Sequence, residues 1–127
     1  MCRLVMFLII LVTSSTAKAG FLETDFDLNH YLEIRNYDGD HQFYKMQRVR
    51  LRERAAGIYF SMKEEGSINI LTGRKSLFCI GEESIDMKAF LSDLDNEIKN
   101  NKDFYPKMTF TKAVRKLIIR RRPCPWK

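Results

Sequence analysis

The sequence predicts a small α+β domain. An antiparallel sheet over about residues 42–80 is covered by an amphipathic helix over 84–100, and a basic C-terminal segment follows. Three observations point there. Short runs rich in β-branched and aromatic residues alternate with turn residues between Gln42 and Ile80. An apolar stripe at steps of three and four follows Ser84. The last sixteen residues hold seven basic side chains and no acidic one.

The chain opens with MCRLVMFLIILVTSSTAKA. A single Arg precedes an apolar run from Leu4 to Val12, and small residues lead to Ala19. This is the layout of a secretory signal peptide. The apolar run is too short to cross a bilayer, which takes about 20 residues. Residues 1–19 are therefore expected to be removed, leaving 20–127 as one secreted, extracellular domain with a basic end over 112–127.

Export sets how the cysteines are read. Cys2 leaves with the leader, and the pair that remains, Cys79 and Cys124, enters an oxidising compartment. A bridge between them would fasten the basic end to the body. By the chain-entropy argument it would contribute on the order of 3–4 kcal/mol. Two free thiols, with Cys124 exposed, are the alternative.

Residues 22–36, LETDFDLNHYLEIRN, read as a short helix or an irregular lead-in, and YDGD ends it with turn chemistry at Asp38-Gly39. QFYKMQRVRLRER, GIYFSM, SINIL and SLFCI read as strands, with AAG, KEEG and TGRK between them. Met87, Phe90, Leu91, Leu94 and Ile98 build the stripe of the helix that covers them. After Pro106, TFTKAVRKLII reads as a helix in which Ala113, Val114, Leu117 and Ile118 share a face; an edge strand is the alternative.

Charge divides the molecule. Without Arg3 and Lys18 the chain holds 20 basic and 16 acidic residues, a net of +4. The final sixteen residues carry seven of the basic groups, so residues 20–111 are left at −3. A polarised molecule of this kind speaks to partners rather than fold.

Two arginine clusters are the candidate binding residues. On a strand, Arg48, Arg50, Arg52 and Arg54 would stand on one face about 7 Å apart and grip a linear polyanion, since guanidinium forks bind sulfate and phosphate oxygens in pairs. Arg120, Arg121 and Arg122 could add a second anionic-ligand patch. The simpler reading of the first cluster is a solvated face paired with nearby glutamates. That of the second is an exposed tail.

Catalytic signals are sparse. His30 and His41 are the candidate imidazole bases, no glycine-rich phosphate loop or nucleophile elbow occurs, and no metal-ligand spacing is present. The expectation is a non-enzyme without cofactor. Its partners would be a sulfated glycan or a cell-surface receptor, or alternatively an anionic membrane surface, with no nucleic acid and no small-molecule substrate. A host-defence precursor with a cationic, membrane-active C-terminal segment is the alternative function.

The stretch VRLRERAAGIYFSMKEEGSI, residues 49–68, resembles a segment of the fibroblast growth factors in which a strand is followed by an aromatic-aliphatic-small-Met run and a Gly-bearing turn. The residues that carry the resemblance are Val49, Leu51, Ala56, Tyr59, Phe60, Ser61, Met62, Gly66 and Ile68, and Cys79 lies about where that family places a cysteine. It covers roughly a sixth of the chain. It implies a secreted ligand that binds heparan sulfate and a receptor. It also implies an alternative fold, an all-β structure like a β-trefoil, although too few residues precede Val49 for the strands such a fold needs.

Overall fold

The computed structural model describes residues 25–101 and 108–125 and shows a helical protein. Four helices follow in order: α1 (Leu28–Asn36), α2 (Gln42–Leu71), α3 (Met87–Asn100) and α4 (Phe110–Arg121). Among the described residues there is no strand, only one isolated antiparallel bridge between Asp27 and Thr109. The expected sheet over 42–80 is thus corrected, and so is the β-trefoil-like alternative. Residues 49–68 lie inside one continuous helix.

The reason is visible in which residues α2 buries. Gln47, Leu51, Ala55, Tyr59, Met62 and Gly66 recur at steps of three and four and face the core, a helical period that runs through the supposed turns at AAG and KEEG. Gly66 is a packing residue rather than a corner. A Cβ there would stand 3.2 Å from the Phe78 ring, so the missing side chain lets the segment after α2 lie against the helix. The real stop comes at Thr72-Gly73. Gly73 takes φ +70°, its N–H donates to the Ile70 carbonyl, and the Arg74 N–H donates to the Asn69 carbonyl at 2.7 Å, which closes the helix in a Schellman motif.

The other helices begin with side-chain caps. The Asp27 carboxylate accepts from His30 N–H, the Asp86 carboxylate from the N–H groups of Lys88 and Ala89, and the Thr109 hydroxyl from Lys112 N–H. At the start of α2 the imidazole of His41 accepts from Phe43 N–H, so the DGDHQ stretch is a turn that ends in a cap. The stripe read from α3 is real, with Phe90, Leu91, Leu94 and Ile98 buried. So is the face of α4, where Ala113, Val114, Leu117 and Ile118 are buried together with Phe110.

Helix α2 packs against each of the other three. Helix α1 buries Leu28, Tyr31 and Ile34, and Phe26 just before it stacks on Phe110 with ring centroids 4.9 Å apart. The Tyr31 hydroxyl reaches across to α3 and donates to Asp95 Oδ1 at 2.5 Å, and Arg35 forks onto the same carboxylate at 2.6–3.3 Å. Burial together with the hydrogen bond to Asp95 pushes the Tyr31 phenol well above the ordinary tyrosine range.

Cys79 and Cys124 are joined, with their Cα atoms 4.8 Å apart. The Cys79 N–H also donates to the Arg122 carbonyl at 2.8 Å, so the chain beyond α4 is tied to the segment after α2 by a covalent and a hydrogen bond. No helix among the described residues is long and apolar enough to cross a membrane. The expected leader, residues 1–19, and the final residues Trp126 and Lys127 lie outside the described residues.

Candidate anion-binding groove

A helix turns about 100° per residue, so arginines two apart cannot share one face. Arg48 and Arg52 lie on one side of α2, and Arg50 and Arg54 on the other. The single-faced row expected of a strand is replaced by four residues with different surroundings.

Arg48 is structural. Its Nε donates to the Ile34 carbonyl at 3.1 Å and its Nη2 to the Tyr37 carbonyl, which satisfies the C-terminal end of α1. Arg50 and Arg52 are exposed. The second cluster is held by acidic residues of the same chain. Arg120 pairs with Glu97, Arg121 with Asp93 at 3.0 Å, and Arg122 with Glu83 at 2.7 Å. These pairs lay the basic end along α3 and the segment before it.

Arg54 differs from all of these. Its side chain is 19% exposed and its guanidinium lies 5.7 Å from the Phe26 ring centroid. The nearest carboxylate oxygen, on Asp25, is 3.9 Å away, beyond hydrogen-bond reach. Its Nε is buried and has no hydrogen-bond partner among the described residues. Asp25 is already engaged. Partial burial works against its charged form, yet hydrogen bonds from the Thr109 hydroxyl, from Thr111 and from Phe26 N–H hold its carboxyl below the ordinary range. Arg54 therefore keeps a charge that its surroundings only partly compensate.

That charge forms part of the wall of an open groove of about 420 Å³ between α2 and α4, lined by Arg54, Gly57, Ile58, Ser61, Thr111 and Arg115. Arg115 crosses the groove to Glu65 at 3.3 Å and is 39% exposed. The lining thus combines two guanidinium groups and two hydroxyls over an apolar floor at Ile58, a donor set suited to the oxygens of an anion. Sequence reasoning named Arg54 but missed Arg115, Thr111 and Ser61. The signal for two of these was present, because Thr111 and Arg115 are four apart on the predicted final helix and so share a face.

Among the described residues, no group of three or more His, Cys, Asp or Glu is arranged to hold a metal ion. His30 stands 3.3 Å from Glu33, and His41 caps α2. No protein-family model, curated protein or solved structure matches the chain.

Proposed function

We propose that this is a secreted, non-enzymatic binding protein whose α2–α4 groove takes an anionic group of an extracellular partner, either a sulfate of a glycan or a carboxylate of an acidic receptor surface. The observation that carries the reading is Arg54: a guanidinium mostly out of water, short of acceptors, beside a second arginine in the wall of a groove. Leaving a buried donor unsatisfied costs about 1–3 kcal/mol. An incoming sulfate or carboxylate would accept from the exposed edge of the Arg54 fork and from Arg115, and would compensate the charge that Asp25 at 3.9 Å meets only in part. The Cys79–Cys124 disulfide and the leader expected from the sequence agree with work outside the cell.

Release of the C-terminal segment as a free membrane-active peptide is disfavoured. Its helix contributes five buried residues to the core, and Cys124 holds its end.

The test compares two double variants that remove the same charge, Arg54→Met with Arg115→Met and Arg120→Gln with Arg121→Gln. Each is eluted by salt from immobilised heparin, from immobilised polyglutamate and from a plain sulfonate exchanger. The groove pair should lose retention on heparin or polyglutamate beyond its loss on sulfonate, and the matrix affected identifies a sulfated or a carboxylate partner. Equal losses for both pairs on every matrix would mean that bulk charge alone is at work, and the proposal would fall.

A further inference from the structure

The face of α2 turned away from the core is not that of a solvated helix. Phe43, Met46, Phe60, Ile68 and Leu71 are between 45% and 86% exposed there, on a helix about 45 Å long. The same face carries Gly57 in mid-helix. Gly57 does not take positive φ, and a Cβ added to it would meet nothing within 4 Å. Glycine in a helix interior is less favourable than alanine. Nothing within the described fold requires it.

We propose that this face binds a second copy of the chain, the two α2 helices running antiparallel about a two-fold axis at Gly57. The pattern along the helix is self-complementary in that direction. Fourteen residues either side of Gly57 stand Phe43 and Leu71; eleven either side, Met46 and Ile68; seven either side, Arg50 and Glu64. An antiparallel pairing centred on Gly57 therefore sets aromatic against aliphatic at both ends, with Arg50 of each copy opposite Glu64 of the other. Both charges are exposed, and neither has an ion pair among the described residues.

A two-fold interface must be complementary to itself, and here the positive and negative positions exchange under the rotation. A parallel pairing in register would instead oppose Arg50 to Arg50 and Glu64 to Glu64. The absent side chain at Gly57 lets the two backbones approach most closely where the axis passes, and Phe60 lies one turn away to pack beside it. A strip of this length and about 10 Å wide buries on the order of 450 Å² per copy, below the usual stable interface, so the dimer should dissociate at micromolar concentrations.

The pairing face adjoins the groove and shares Gly57 with it, but the groove's two arginines are not the pairing charges, so reversals at Arg50 and Glu64 leave the groove's donors in place. Sedimentation equilibrium of the oxidised, exported protein from low to high micromolar concentration is the test, with Arg50→Glu, Glu64→Arg and the double exchange. The native protein should dimerise. Each single reversal should weaken the dimer by about tenfold or more, because it opposes like charges at both ends, and the double exchange should restore it. Gly57→Cys should in addition yield a disulfide-linked dimer under oxidising conditions. A native protein monomeric at every concentration would overturn the proposal and leave the face to some other partner. A dimer indifferent to the charge reversals would overturn it as well, because a different surface would then be pairing.

Discussion

Replacing Arg54 by Met should make the protein more stable while weakening its hold on an anion. Met keeps an unbranched stem that can lie beside the Phe26 ring, where the guanidinium now stands 5.7 Å from the centroid, and it has no N–H to leave unsatisfied. Removing the orphaned Nε donor recovers about 1–3 kcal/mol. Against this stand the cation–π contact with Phe26, about 0.5–1 kcal/mol near the surface, and the 3.9 Å approach to Asp25, about 0–1 kcal/mol for a screened pair. Asp25 is not stranded, since Phe26 N–H and Thr111 N–H still donate to it at 3.2 and 3.1 Å.

The balance favours the variant by about 1 kcal/mol, or about 4–8 °C in Tm for a domain of this size. Urea unfolding followed by circular dichroism measures it, with the slope checked for constancy. Arg48→Met is the control. Arg48 donates to two carbonyls at the end of α1, so its loss should cost about 2 kcal/mol. If Arg54→Met lowers the midpoint as Arg48→Met does, Arg54 is structural and the argument for a binding groove loses its foundation.

Reducing the Cys79–Cys124 bridge, or replacing both residues by Ala, should cost about 3–4 kcal/mol in the same assay, with amide exchange rising first at the end of α4. Tyr31, whose folded-state pKa is raised, contributes stability that is complete below the pKa of an unfolded tyrosine, about 10, and is lost as pH rises beyond it. Titration by circular dichroism should show steep alkaline unfolding, and Tyr31→Phe should flatten it while costing about 1 kcal/mol at neutral pH. Gly57→Ala should raise the unfolding free energy of dilute, monomeric protein by about 0.5–1 kcal/mol and weaken self-association at high concentration. An alanine that stabilises both states would remove the reason given for the glycine.

Helices α3 and α4 were legible because each is apolar on one side only. In α3, Phe90, Leu91, Leu94 and Ile98 meet the core while Lys88, Ser92 and Lys99 meet water, so one period stands out. The turn at Thr72-Gly73 was legible for a comparable reason, since local chemistry alone dictates it. Helix α2 was not legible. Its VRLRER run alternates as a strand does, and Gly57 and Gly66 stand where hairpin corners would. The groove was hidden for the same reason: its two arginines come from distant helices, and a strand period groups Arg54 with Arg48, Arg50 and Arg52 instead.

What misled the reading of α2 also bears on what the helix does. Leu51, Ala55, Tyr59 and Met62 carry a clear helical period toward the core. That period is blurred by apolar residues on the opposite side, and with both faces counted neither helix nor strand predominates in the pattern. Phe43, Met46, Phe60 and Leu71 are residues the monomer has no need to bury, and Gly57 is one it has no need to keep. Three of those residues, with Ile68, form two pairs that mirror one another about Gly57. A helix whose sequence fails to separate an inside from an outside has two insides, one filled by the rest of this chain and the other by a second copy of it.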